Sequence, residues 1–378
     1  MSASRLLRRI TDEIRTKGPM SFARFMDLAL HDPEDGYYAR GPERLGPTGD
    51  FITASDAGSA FGECLARQLQ EMDRSLGHPS PFTVIEFGAG RGLLARDVLD
   101  ALLAENPSLA RRLRYLLVDR SPGMRRLAAH RVPEAEVLTP QSLTGSHVGC
   151  IVAVEVFDAL PVHRVRRRGR ALREILVDLD DGGRLVESVG DPSEDIMRIA
   201  SRYGAAREEG DEAEIALPSI TLLDAMSEAM ARGFILVVDY GYRAAELHGP
   251  AHRRGTLLAY HRHRWNERYL ERVGEQDLTA HVNLSLLEDR AVELGFRTLG
   301  QTSQERFLIA NGILERFREE AGGNRHDPDR VRSRLQALQL IHPEGMGRAF
   351  QVLGFSRGVD PAPRLAGFED PLRRAMLR

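Results

Sequence analysis

Four short apolar runs punctuate the chain from residue 82 onward: "FTVIEF" at 82–87, "RYLLVD" at 114–119, "GCIVAVEVF" at 149–157 and "GFILVVDYG" at 233–241. Each is short and apolar, with β-branched or aromatic residues, as a buried strand is. Between the first two, "GLLARDVLDALLAE" sets Leu94, Val98 and Leu102 on one stripe, and Asn106-Pro107 ends that helix. Ser121-Pro122 opens another helix after the second run. Runs alternating with helical stretches predict a parallel sheet of the α/β class.

The flanks read differently. Residues 1–78 are expected to be mainly helical: "SFARFMDLAL" places Phe22, Phe25, Met26, Leu28 and Ala29 at helical spacing, and "SAFGECLARQLQEMDRSLG" repeats the pattern. The Gly- and Pro-rich "HDPEDGYYARGPERLGPTGDF" between them predicts loop. An insertion at about 161–230 begins with alternating apolar residues around Asp-Asp-Gly-Gly, the signature of an antiparallel hairpin. "SLLEDRAVELG" predicts a helix opened by a Ser285–Glu288 capping box and closed by Gly295, with a strand pair after it. Residues 313–378 read as a polar, helical extension. The expected division is a helical segment at 1–78, an α/β domain at 79–312 and that extension.

Composition narrows the chemistry. A chain of 378 residues, 42% hydrophobic, supports a large core. Its formal charge of −3 gives no reason to expect nucleic-acid binding. No apolar run is long enough to span a bilayer. The N-terminal "MSASRLLRRITDEIRTKG" is Arg-rich and amphipathic, but Asp12 and Glu13 favour a first helix over a transit peptide. Cys64 and Cys150 are far apart and form no CxxC, which fits a reducing cytoplasm and not a disulfide framework.

The strongest local signal is "VIEFGAGRGLL": a strand, a turn with Gly88, Gly90 and Gly92, then a helix. Such glycines let a cofactor approach the backbone beside free helix N–H groups. A dinucleotide fingerprint would need Gly at 93, where Leu93 stands, which disfavours a nicotinamide oxidoreductase. Glu86 precedes the turn by two residues and Asp119 ends the next strand, 29 residues after Gly90. Acids there suit a phosphate-free donor, S-adenosylmethionine (SAM), whose ammonium and ribose hydroxyls bind carboxylates.

The turn resembles motif I of class I SAM-dependent methyltransferases. The chain as a whole resembles the MidA-like family, the complex I assembly protein-arginine methyltransferases of mitochondria and their bacterial relatives. "HDPEDGYY", "GDFITASDAGSAFGE", "EFGAGRG", "VEVFDALPVHRV", "VVDYGY", "GTLLAYHRH", "QDLTAHVNL", "FLIANGI" and "HPEGMGRAFQVL" carry the resemblance, in order from about 31 to 353. It implies a Rossmann-like, doubly wound, seven-stranded sheet with added helical elements, and SAM as methyl donor. In the mitochondrial member it implies symmetric dimethylation of an arginine on a respiratory-complex subunit, and family members can be homodimers. The chain departs at Ala89, Val154 and Asn283, where the family usually has Pro, Asn and Asp.

Methyl transfer from a sulfonium is an in-line displacement that needs no metal, only positioning. An arginine acceptor must be oriented and must lose a proton, and carboxylates do both. Glu155 and Asp158 end the third run, "CIVAVEVFDALPVH", where a parallel sheet binds its ligands, and His163 follows as a candidate base. The resemblance adds Asp277 and His281 to the acceptor side, and Thr53 and Glu63 to the donor side, with Asp50 and Thr53 also suited to turn chemistry. His261 and His263 lack metal-ligand spacing. The six arginines between 164 and 173 predict a solvated face or an acidic partner. Two alternatives stand beside a protein acceptor: a small-molecule O- or N-nucleophile, or a non-catalytic assembly factor on the same fold.

Overall fold

In the computed structural model of the chain, Phe82–Phe87 forms a strand, β1, buried at every residue. The structure describes residues 2–39, 53–262, 264–315, 317, 328–361 and 363–369. Further strands are β2 (Leu113–Val118), β3 (Glu136–Leu138), β4 (His147–Val154), β5 (Met230–Tyr242), β6 (Arg297–Ser303) and β7 (Phe350–Arg357). Their order across the sheet is β3-β2-β1-β4-β5-β7-β6. The first five run parallel, and β7 lies antiparallel between β5 and β6. The two-residue strand Val282–Asn283 adds a parallel pairing at the end of β5.

Helices cover both faces, which is why these strands read as continuous apolar runs. Val84, Leu117, Val152 and Leu236 pack toward Ala60–Ser75 and Leu93–Glu105 on one side. Ile85, Leu116, Ile151 and Ile235 pack toward Pro218–Ala229 and Leu284–Glu293 on the other. The fold expectation therefore holds.

The hairpin of the insertion is also present, as His163–Arg168, Ala171–Leu179 and Leu185–Gly190, turned at Asp180–Gly183. It is part of a larger antiparallel sheet that includes Glu212–Ile215 and, from the N-terminal segment, Met20–Ser21. The arginine run is not one solvated face. Arg164 is buried, bonded to Glu187 and Glu212 and stacked over Phe22 and Tyr269, and Arg166 also bonds Glu212. A third sheet joins Arg264–Asn266, Leu258–His261 and Asp277–Thr279 in that order.

Three local expectations need correction. Asn283, not Ser285, caps the helix Leu284–Glu293, accepting the Leu286 N–H at 3.1 Å, while the Ser285 hydroxyl accepts the Ala244 N–H. Asp in the same place would accept the same bond, so the Asn283 departure is a cap and does not line the site. Second, β6 is followed by the helix Gln304–Ala310; its strand partner β7 arrives far later in the chain. Third, the C-terminal stretch is helical at Pro328–Ile341 and Met346–Ala349 but then enters the main sheet as β7, whose burial its short apolar run "FQVLGFS" only weakly signals.

Two glycines fix how closely the central strands approach. A Cβ on Gly149 would lie 2.0 Å from the Thr83 carbonyl oxygen, and one on Gly233 would lie 2.0 Å from the Gly149 carbonyl oxygen. Both have positive φ, +153° and +145°. Replacing Gly149 by Ala is expected to cost about 2–4 kcal/mol, from backbone strain plus overpacking. Urea unfolding should show a lower midpoint at unchanged slope.

Candidate active site

A cavity of about 340 Å³ opens at the carboxyl ends of β1, β4 and β5, the position where open parallel sheets bind ligands. Its donor side is built on the glycine turn. Gly88, Gly90 and Gly92 have φ of +67°, +52° and +71°. A Cβ at Gly88 would meet Val156 Cγ2 at 2.7 Å, and one at Gly92 would meet Ala128 Cα at 3.2 Å. The Gly88 and Ala89 N–H groups donate to the Val118 carbonyl at 2.8 and 3.3 Å. Asp119 is locked by backbone: its Oδ2 accepts from the Gly90 N–H at 2.9 Å and its Oδ1 from the Ser121 N–H at 2.7 Å. Burial raises the Asp119 carboxyl against the pull of those two donors. Glu86, also buried, accepts the Tyr115 hydroxyl at 2.8 Å, and burial pushes it up to about 8.

The opposite side is acidic. Glu155 follows β4 with φ +54°, unusual for a residue with a side chain. Its N–H donates to the Val238 carbonyl at 2.9 Å, and its Oε1 accepts the Ala54 N–H at 2.7 Å. Asp158 is buried, and its Oδ1 has no hydrogen-bond partner. Asp239, at the end of β5, accepts the N–H groups of Val156, Phe157 and Asp158 at 3.1, 2.8 and 3.4 Å. Asp277 accepts the Tyr38 hydroxyl at 3.0 Å. Burial, then the charges of neighbouring acids, pushes Glu155 and Asp158 well above the usual carboxylate range. Burial likewise raises Asp239, to about 7.

Tyr240 and Tyr260 complete the wall, with His281, whose ring lies parallel to Tyr240 at 6.1 Å between centroids. Burial, then His252, lowers His281 to about 4, so the imidazole is neutral near pH 7; its Nδ1 is buried without a partner. His31 donates from Nε2 to the Ala159 carbonyl and stacks on Tyr38.

The sequence candidates Glu86, Gly88, Gly90, Asp119, Thr53, Glu155, Asp158, Asp277 and His281 therefore meet around one cavity. Gly92 sits just behind it as the N-cap of Leu93–Glu105. Thr53 caps the turn Ala54–Ala57 through a capping box with Asp56. Two candidates lie elsewhere. His163 is not on the cavity; alternation along its strand turns its ring to Glu174, at 2.6 Å. Glu63 is not on it either and accepts the Ser59 hydroxyl in the first turn of its helix. Asp50 and His263 lie outside the described residues, and His261 Nδ1–H donates to the Glu275 carbonyl.

Asp239, Tyr38, Tyr240 and Tyr260 were not singled out from sequence. Asp239 carried the same signal as Glu155, an acid closing an apolar run. The donor side fits SAM by its chemistry: a glycine turn flanked by two buried carboxyls, Glu86 and Asp119, with the turn's Arg91 paired to Asp56.

Comparison with known proteins agrees. A family model of S-adenosyl-L-methionine-dependent methyltransferases matches residues 64–302. Protein arginine methyltransferase NDUFAF7, mitochondrial, of Danio rerio is 28% identical over 376 residues, which is 92% of this chain and 85% of that protein. The Homo sapiens protein of the same name is 26% identical over 377 residues, 91% and 82% of the two chains. A crystal structure of a Burkholderia thailandensis protein bound to S-adenosyl-homocysteine (SAH) aligns with a TM-score of 0.86 at 30% identity, over 97% of this chain and 95% of that one. The chain belongs to this family of SAM-dependent methyltransferases, the MidA-like one that its motifs resemble.

Glu86 makes a measurable signature. Its folded pKa, about 8, lies above its ordinary 4.5. The stability it contributes is complete below the ordinary value and is lost as pH rises through the folded one. In denaturant unfolding, Glu86→Gln should become progressively less destabilising relative to the wild type between about pH 5 and about pH 8.5. A pH-independent difference would show that Glu86 titrates normally.

Proposed function

We propose that this MidA-like, SAM-dependent methyltransferase transfers its methyl group to an arginine side chain of an acceptor protein. One observation carries the reading: Asp158 presents a buried carboxyl oxygen with no partner, beside Glu155 and Asp277. Among the described residues, the groups acting on Glu155 and Asp158 are backbone N–H donors and other acids, with no cation between them. A small hydroxyl or amine acceptor would need one base in an apolar pocket. Several convergent acids walled by tyrosines suit a guanidinium, which is planar, always charged and rich in donors. The names of the curated relatives point to the same acceptor.

In this reading Asp119, Glu86 and the close-approaching backbone of the Gly88–Gly92 turn hold the donor. When bound, SAM supplies an electrophilic methyl whose sulfur leaves as a neutral thioether as the acceptor nitrogen forms its new C–N bond. Glu155 and Asp277 fix the guanidinium by bidentate hydrogen bonds. Asp158 receives the proton that the methylated nitrogen gives up, its oxygen having no competing donor. Tyr38, through its bond to Asp277, holds that carboxylate in place. His281, neutral, forms part of the wall. The compartment we propose is a reducing one, the cytoplasm of a bacterial-type cell, although the named relatives are mitochondrial; Cys64 and Cys150 are both buried thiols. Among the described residues no helix is long and apolar enough to cross a membrane.

The test is methylation of a pool of arginine-centred peptides by the full chain with labelled SAM. Glu155→Gln and Asp158→Asn should each lower kcat/KM by about 100-fold or more, while SAH affinity moves less than about threefold. Asp119→Asn should do the reverse, weakening SAH first. Because burial raises Glu155 and Asp158, these acids hold protons at low pH and cannot then pair with a guanidinium; peptide affinity should therefore rise as pH increases. A pool left unmethylated by protein that binds SAM overturns the arginine reading.

A further inference from the structure

We propose that the strand pair Leu258–His261 and Arg264–Asn266 is the docking surface for the acceptor polypeptide, with Trp265 as its outer anchor. This rests on the arginine reading and extends it to the chain that flanks the arginine.

The register makes the case. Tyr260 lies directly opposite Asp277 on one side and directly opposite Trp265 on the other. Opposed residues of antiparallel strands share a face. The other face is occupied: Ala259 and Leu278, also opposite each other, are buried in the core beneath the first two helices. Trp265, Tyr260 and Asp277 therefore form one row on the cavity side. Tyr260 and Asp277 line the cavity, and Asp277 is fully buried. Trp265, the single tryptophan of the chain, is 65% exposed. The row runs from solvent to the acidic wall across two strand spacings, about 10 Å, which is longer than an extended arginine side chain.

A large, rigid, exposed indole at one end of such a row is a typical anchor for a polypeptide partner. Its face also attracts the cationic side chain that the acids at the inner end draw in. Among the described residues Arg264–Asn266 is moreover the outer strand of its sheet, the position at which an extended chain can add alongside. The occupant is a polypeptide with an extended segment around one arginine. An isolated arginine would fill the inner end alone.

Two acceptors separate the possibilities: the arginine-centred peptide pool and Nα-acetylarginine amide, which is too short to reach Trp265 from the acids. Trp265→Ala should raise KM for the pool about tenfold or more and that for the amide far less; Trp265→Phe should restore most of the loss. With one tryptophan in the chain, the emission of the SAH-loaded wild type should also change as the pool saturates it. If Trp265→Ala methylates the pool with wild-type KM, or pool binding leaves the emission unmoved, the docking surface is overturned and the arginine reading survives. If neither acceptor is methylated by protein that binds SAM, the arginine reading fails and the docking surface with it.

Discussion

Like-charged groups are buried together at the carboxyl ends of β4 and β5, and the rest of the site depends on how that is tolerated. An ionised carboxylate taken out of water costs several kcal/mol unless paired, and Glu155, Asp158 and Asp239 have other acids for neighbours. Burial resolves the conflict by holding protons on them. What remains is arranged by backbone: Asp239 gathers three successive N–H groups after β4, and the Ala280 N–H donates to the Asp158 carbonyl at 3.0 Å. The turn so fixed includes Glu155 in a left-handed conformation worth roughly 1–2 kcal/mol of strain. Strain of this kind persists only where the surroundings over-determine it.

The N-terminal segment supplies part of that determination. Ala54 N–H holds Glu155, and the Tyr38 hydroxyl holds Asp277. The same segment touches the donor side: the Ser121 hydroxyl donates to the Tyr38 carbonyl two residues from Asp119, and Arg91 of the glycine turn pairs with Asp56. Tyr38, Ala54 and Asp56 thus touch both halves of the cavity.

Much of this was legible in the sequence because strands buried on both faces leave a distinct signature: short apolar runs, here closed by acids. Glu86, Asp119, Glu155 and Asp158 were found that way. Asp239 closes a run in the same manner, but "VVDYGY" reads equally as a strand end with a turn, and only the parallel pairing of β4 with β5 reveals what its carboxylate holds. His163 misled because one residue of strand alternation decides which face a ring meets, and Pro161 hides that register. Asn283 looked like a departure at the acceptor because sequence cannot distinguish a cap from a wall. β7 was missed because its antiparallel place between β5 and β6 is fixed by pairings remote in sequence.

The acidic wall also answers a difficulty peculiar to the proposed reaction, in which two cations must meet. A sulfonium and a guanidinium at about 4 Å repel by about 4 kcal/mol at an effective dielectric of 20. A neutral pocket would leave that repulsion standing in the bound complex. Carboxyls that lose their protons when the cations arrive offset it, and one of them takes back the proton released as the positive sulfur becomes neutral. The site therefore ends the reaction with less charge to hold than it began with. That asymmetry favours transfer, and it requires what the structure places there: acids held close enough together to be protonated when the site is empty.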